Sequence, residues 1–315
     1  MIPANPKNEP IIIALLGPTG VGKTRIATAI APCLGAEIVS VDSMQVYRGM
    51  DIGTAKVNPG ASEAVPHHMI DIVDHDKPFS VADFQKAGRM AVRDILARGK
   101  LPFLVGGSGL YFEALVFEMD FPPGIADSEL RRSIEQWARE DPEGLRSRLR
   151  EVDPQFAAGE GWRNIRRVMR AMEVYQATGR PFSSFNRNRP TACHPFRGAV
   201  LDMERSRLYR LIDLRVDKMI EAGLIEEVRD LERRSPLSMT ARQALGYKEI
   251  LEYLEGRSTL EEAIAEIKKR SRRYAKRQVT WFRHIPGLRW FEMFERHLND
   301  PGSITDELLH YYSGK

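Results

Sequence analysis

The octapeptide Gly17-Pro18-Thr19-Gly20-Val21-Gly22-Lys23-Thr24 restricts what this chain can fold into more than any other feature. It fits GxxxxGK[ST] fully. The apolar, β-favouring run 10–16 precedes it, and a helical pattern from Lys23 to Leu34, closed by Gly35, follows it. That context predicts a buried strand, a tight loop and a helix, with the loop amides converging on phosphate oxygens at the helix N-terminus. Lys23 adds a positive charge there, and the Thr24 hydroxyl is a candidate Mg²⁺ ligand. The motif specifies a di- or triphosphate, not a particular nucleotide.

The same alternation continues downstream. Residues 37–41 read as a second strand, ending at Asp42. Ser80 and Asp83 make a capping box for a helix running to about Arg98, and Gly99 stops it. Residues 101–105 read as a third strand, ending in Gly106-Gly107. Strands alternating with helices of this length predict an α/β fold, a P-loop NTPase-like parallel sheet with helices on both faces. The character changes at Phe121-Pro122-Pro123-Gly124: residues 127–178 read as helices only, and 183–195 as loop around Asn186, Asn188 and Pro190. Residues 199–203 read as a return strand, helices follow to about Phe282, and 288–291 read as a last strand. The expected organisation is therefore a first part of the P-loop core in residues 1–120, an all-helical insertion domain in 121–195, and the rest of the core with basic C-terminal helices in 196–315.

Composition narrows the setting. With 43% hydrophobic and 29% charged residues, the chain matches an ordinary soluble globular protein. It shows no secretory pattern and no apolar run near membrane-spanning length. Two cysteines make no disulfide framework and no CxxC pair, so a cytoplasmic location is expected. Cys33 reads as a small core residue of the first helix and Cys193 as a loop residue. His67-His68, with no carboxylate at ligand spacing, reads as structural rather than metal-binding. The net charge of +4 is unevenly spread: 11 Lys+Arg face 13 Asp+Glu up to Asp120, and 36 face 30 beyond it. An acid-leaning start and a basic remainder suit chemistry at one end and a polyanion partner at the other.

Three further segments carry more information: Ser40-Val41-Asp42-Ser43-Met44-Gln45-Val46-Tyr47, Met50-Asp51-Ile52-Gly53-Thr54-Ala55-Lys56 and Gly106-Gly107-Ser108-Gly109-Leu110-Tyr111. From spacing alone, Asp42 is either a magnesium holder acting through water or a base beside the phosphate loop. Together with the P-loop, and in this order, the segments resemble the bacterial tRNA dimethylallyltransferases, also called tRNA isopentenyltransferases. The resemblance extends through His67-His68-Met69-Ile70-Asp71, through Asn164-Ile165-Arg166-Arg167-Val168-Met169-Arg170-Ala171-Met172-Glu173, through Gln243-Ala244-Leu245-Gly246-Tyr247-Lys248-Glu249, and through Lys276-Arg277-Gln278-Val279-Thr280-Trp281-Phe282-Arg283. It covers nearly the whole chain. Ser108 stands where the family commonly has Thr, which keeps the hydroxyl, and the eukaryotic C-terminal zinc finger is absent.

The resemblance implies transfer of the dimethylallyl group from dimethylallyl diphosphate to N6 of adenine 37, in tRNAs that read codons beginning with U. It implies Mg²⁺ as the cofactor, Asp42 as the base and Ser108 as its orienting partner. It also implies tRNA contacts at residues 42–45, 108, 166–170, 242–247 and 276–283. Arg215 is a candidate second cation on the diphosphate, with a solvated surface arginine as the alternative. Adenine 37 is stacked beside the anticodon, so it must be extruded to react. Met44 then offers an apolar surface to its ring. Arg163, Arg166, Arg167 and Arg170 fall at i, i+3, i+4 and i+7, one stripe of a helix, which is either a solvated face or a phosphate-binding one. The basic run 268–284 carries Tyr274, Trp281 and Phe282 among its charges, a pattern suited to RNA, with the aromatics expected mostly inward and Lys276 and Arg277 outward. A monomer is expected. The rival readings are a small-molecule kinase using ATP and a non-catalytic RNA-binding NTPase.

Overall fold

The computed structural model describes residues 11–57, 65–122, 128–185, 191–294, 297, 300 and 302–314. The sequence expectations at Pro10, Pro123, Gly124, Asp127, Asn186, Asn188 and Pro190 lie outside the described residues. In chain order the strands are β1 (Ile12–Leu16), β2 (Ala36–Val41), β3 (Tyr47–Arg48), β4 (His67–His68), β5 (Val73–Asp74), β6 (Leu101–Gly106), β7 (Phe196–Asp202) and β8 (Leu288–Glu292). The first helices are α1 (Lys23–Leu34), α2 (Val81–Ala97), α3 (Gly109–Val116), α4 (Ser128–Glu140), α5 (Pro142–Val152), α6 (Pro154–Ala157) and α7 (Ile165–Thr178). They are followed by α8 (Arg205–Glu221), α9 (Leu224–Arg234), α10 (Tyr247–Leu254), α11 (Leu260–Arg283) and α12 (Gly302–Ser313).

Six strands form one parallel sheet in the order β4-β2-β6-β1-β7-β8, and β3 pairs with β5 in a small second sheet. β1 lies between β6 and β7, and every one of its residues is buried. Burying an Ile or Leu side chain contributes roughly 1.5–3 kcal/mol, so the four in β1 together approach the net stability of a whole domain. α1 lays Ile26, Ala27, Ile30 and Ala31 on the core. Cys33, in the last turn of that helix, is exposed, which corrects its expected place in the core. α12, unforeseen from sequence, adds Ile304, Leu308 and Tyr312 to the same cluster, and the Tyr312 hydroxyl donates to Ala14 O at 2.6 Å.

The capping box expected before α2 is present, with Ser80 N donating to Asp83 Oδ2 at 2.9 Å and Asp83 N to Ser80 Oγ at 3.2 Å. The return strand β7 begins three residues before the expected 199. Arg197 and Gly198 hide its start in the sequence, but Arg197 sits at the strand's amino end and donates to the carbonyls of Tyr311 and Tyr312. His67 and His68 form the edge strand β4, and His68 Nε2 lies 2.7 Å from the Glu37 carboxylate, a neighbour that sequence spacing did not show.

The chain separates into two compact units. One comprises residues 1–79, 84–117 and 192–315, and the other 80–83 and 118–191. The second unit is helical. Asp141, Asp153 and Asn164 cap α5, α6 and α7, and Pro142 and Pro154 occupy first-turn positions where no backbone N–H is needed. Its core is Ile134, Leu145, Leu149, Val168, Ala171 and Met172.

Candidate active site

The phosphate loop leaves the carboxyl end of β1, where parallel α/β sheets hold their ligands. Gly17 adopts φ 151°, and a Cβ there would lie 2.5 Å from Leu201 O, so the turn depends on glycine. Gly22 caps α1 without a side-chain hydrogen bond, and the first turn carries no acidic residue. The helix N-terminus is thus left open to an anion. Lys23 folds back on its own loop, with Nζ donating to Pro18 O at 2.8 Å. Burial, reinforced by the neighbouring Arg215 and opposed by Asp42, pulls its pKa down to about 7. Arg215, on α8, is itself lowered from its ordinary range by burial, with Asp42 acting against that. Lys23, Thr24, Arg215 and Lys218 line a cleft of about 850 Å³. Lys56 lies in the same wall, but Tyr47 O, Asp51 and Asp71 at 2.5–2.7 Å engage its ammonium.

Asp42 follows β2, one strand removed from β1 with β6 between. The register pairs Val41 with Gly106, which brings Asp42 beside the loop after β6. There Ser108 N donates to Val41 O at 3.1 Å, and Ser43 N donates to Ser108 Oγ at 3.3 Å. Asp42 Oδ1 accepts from Met44 N at 2.8 Å and Gln45 N at 3.4 Å, which fixes the carboxylate's direction. It lines a second cavity of about 260 Å³, and it is the only carboxylate to do so among the described residues. Ile212, Val216, Met219, Leu245 and Ile267 give that cavity an apolar wall. Arg215 and Met219 line both spaces, so the cavity and the phosphate cleft adjoin along α8. The segment between β3 and Lys56 is held by Glu227 on α9. Its carboxylate accepts the backbone N–H groups of Asp51, Ile52 and Gly53 at 2.7–3.3 Å and the Tyr247 hydroxyl at 2.5 Å.

Tyr274 was expected only as one of the aromatics in the basic run, not beside Asp42. It lines the cavity with Asp42, and burial, then the Asp42 charge, raises its pKa, while Ser108 and Gln278 hydrogen-bond it. A signal was present: Ile267, Ser271, Tyr274, Gln278 and Phe282 recur at helical spacing inside the basic run, one inward face of α11.

The expected tRNA contacts fall in different surroundings. Val168, Ala244, Gly246, Tyr247, Gln278 and Phe282 are buried, and Ala244 also lines the cavity beside Asp42. Met169 packs against the core of the helical unit. Arg242 pairs with Glu255 at 2.6 Å and Arg170 with Glu173 at 3.0 Å. Leu245 faces the cavity, and Val279 is half-buried. Arg166, Arg167, Gln243, Lys276, Arg277, Thr280, Trp281 and Arg283 are exposed.

Fold and site together define an α/β P-loop enzyme in which an anion-holding loop adjoins an apolar cavity with a single carboxylate. A family model for IPP transferase matches residues 45–285, and one for isopentenyl transferase matches 10–65. The tRNA dimethylallyltransferase of Geobacillus thermodenitrificans is 47% identical over 309 residues, covering 96% of each chain. That of Symbiobacterium thermophilum is 49% identical over 286 residues, covering 90% of this chain and 89% of its own. The crystal structure of tRNA isopentenylpyrophosphate transferase from Bacillus halodurans superposes with a TM-score of 0.67 at 41% identity, over 97% of this chain and 98% of that one. A eukaryotic dimethylallyltransferase acting on tRNA gives 0.80 at 28% identity, over 97% and 80%. The chain belongs to the IPP transferase family.

Proposed function

We propose that this chain is a cytoplasmic, monomeric enzyme that moves the dimethylallyl group from dimethylallyl diphosphate to N6 of adenine 37, in tRNAs reading codons that begin with U. One observation carries the reading: a lone, oriented carboxylate faces an apolar cavity that opens past Arg215 onto the phosphate loop. A five-carbon isoprenoid suits the walls formed by Ile212, Val216 and Met219, which offer nothing to a kinase's polar acceptor. The relatives named as tRNA dimethylallyltransferases support the same conclusion.

The residues divide the work. An adenine N6 lone pair is delocalised into the ring, so it attacks only as its proton is removed. Asp42 is placed to accept that proton. The bond from N6 to the allylic carbon forms as the carbon–oxygen bond breaks, and the electron pair leaves with diphosphate. Loop amides, Lys23 and Arg215 stabilise the growing negative charge. The base reaches the cavity only when flipped out of its stack, and Met44 at the rim supplies apolar contact. Among the described residues there is no cluster of three or more acidic, His or Cys ligands. The Thr24 hydroxyl, which lines the cleft, is the group that would hold a Mg²⁺ ion beside the diphosphate. Bound there, the metal would supply charge neutralisation to the leaving group.

The deciding experiment incubates the protein with labelled dimethylallyl diphosphate or labelled ATP, with and without bulk tRNA. Label entering tRNA from the first donor alone supports the reading. ATP turnover supports a kinase or an NTPase instead.

Two further outcomes follow. Arg166 and Arg167 on α7 are exposed, and as phosphate contacts each →Ala variant lowers the log–log salt slope of tRNA binding by about one contact. Unchanged slopes in both would return the stripe to a solvated face. Lys23, with its pKa near 7, is largely neutral at pH 8 and becomes cationic when an anion binds beside it. Pyrophosphate affinity is then highest below pH 7 and falls as pH rises through that value. Calorimetry at pH 8 in buffers of different ionisation heat should show proton uptake that Lys23→Ala lacks. Equal uptake in both proteins would remove Lys23 from the diphosphate site.

A further inference from the structure

The inward face of α11 does more than close the core. Gln278, only 5% exposed, uses both ends of its amide. Oε1 accepts the Thr19 N–H of the phosphate loop at 2.9 Å, and Nε2 donates to Gly107 O at 2.9 Å. These two loops leave the carboxyl ends of the adjacent strands β1 and β6, whose register pairs Leu16 with Gly106. One loop belongs to the diphosphate cleft, and the other carries Ser108 beside Asp42. The approach is close enough to demand glycine, since a Cβ at Gly107 would overlap Gln278 Nε2.

We propose that Gln278 is a positioning residue that sets the spacing between the diphosphate loop and the Asp42–Ser108 wall. The inference rests on the transfer reaction proposed above. Attack of N6 on an allylic carbon needs the two substrates held in line, and an error of about 1 Å in such a placement lowers turnover on the order of 10²-fold. Only a group that donates and accepts at once joins a backbone N–H to a backbone carbonyl. Neutral amides do this, and carboxylates, which only accept, do not. A protonated carboxylic acid restores both roles, and a buried carboxyl facing a carbonyl oxygen has its pKa raised, so the acid form is within experimental reach.

Gln278→Glu is therefore the informative variant, with Gln278→Met as the shape-matched control. For Gln278→Glu at pH 8.5, kcat for dimethylallyl transfer should be on the order of 10²-fold below wild type, with KM for dimethylallyl diphosphate and tRNA affinity within about twofold. As pH falls to 6 the gap to wild type should close at least about fivefold, because the protonated glutamic acid rebuilds the bridge. Gln278→Met should show the deficit without the pH-dependent recovery. If Gln278→Met does not fold, Gln278→Glu carries the test alone, since at low pH it is isosteric with glutamine. A variant-to-wild-type ratio that does not change with pH, or a loss of tRNA affinity with kcat intact, overturns the proposal. Wild type in the same assay separates the two levels of inference. A wild type that transfers nothing to tRNA rejects the function itself, whereas an active wild type with a pH-independent gap rejects only the role of Gln278.

Discussion

Asp42→Asn is expected to bind tRNA and pyrophosphate almost as well as wild type and to turn over roughly 10² to 10⁴-fold more slowly, the usual worth of a positioned base. Asn keeps the volume and one acceptor oxygen, so the bonds from Met44 N and Gln45 N that orient the side chain survive. It cannot take up the amine proton, and no other carboxylate lines the cavity among the described residues to substitute for it. The competing role is that of a magnesium holder, as the comparable Asp plays in many P-loop NTPases. Added metal separates the two: a weakened metal site recovers with excess Mg²⁺, and a missing base does not. Single-turnover rates measured across a Mg²⁺ titration should stay low throughout. Recovery of most of the rate at high Mg²⁺ would take the base out of this mechanism.

Lys23→Ala should lower kcat on the order of 10²-fold or more while tRNA affinity changes little. The ammonium meets the diphosphate as the carbon–oxygen bond breaks, so its contribution is largest in the transition state. Its resting contact is the 2.8 Å bond to Pro18 O, a bond within the loop that exchange for a phosphate oxygen would leave. Burial and the neighbouring Arg215 already disfavour the Lys23 ammonium in the empty site, so the charge removed by the substitution matters most once an anion is present. Binding of unreactive diphosphate analogues should therefore weaken less than kcat. Collapse of tRNA affinity with turnover of the bound complex preserved would place Lys23 at the wrong substrate.

What sequence reading recovered was local, and what it missed depended on distant partners. The strand–loop–helix at residues 12–34, the stop at Gly35 and the capping box at Ser80 and Asp83 are written in neighbouring residues, and all three are present. The two-residue strands β3, β4 and β5 exist only because a longer strand or a partner lies alongside, so no pattern announces them. Asp42, Ser108 and the phosphate loop were singled out from motifs, and the sheet register brings their elements together. Tyr274 and Gln278 were harder to see. Eight basic residues within residues 268–284 dominate the reading of α11, and its inward period shows only once the charges are set aside.

The Glu227 carboxylate, which accepts three successive N–H groups of the segment 51–53, bears on where a diphosphate settles. Successive amides pointing to one place make an anion cradle wherever they occur. Asp51 and Ile52 line the same cleft as Lys23, so the wall facing the phosphate loop contains a second such cradle. A carboxylate tethered to α9 acts at an effective concentration that a dilute diphosphate cannot match, and it occupies that cradle permanently. The amides of the phosphate loop beside Lys23 are then the ones left to an incoming anion, because Glu227 already holds the second set.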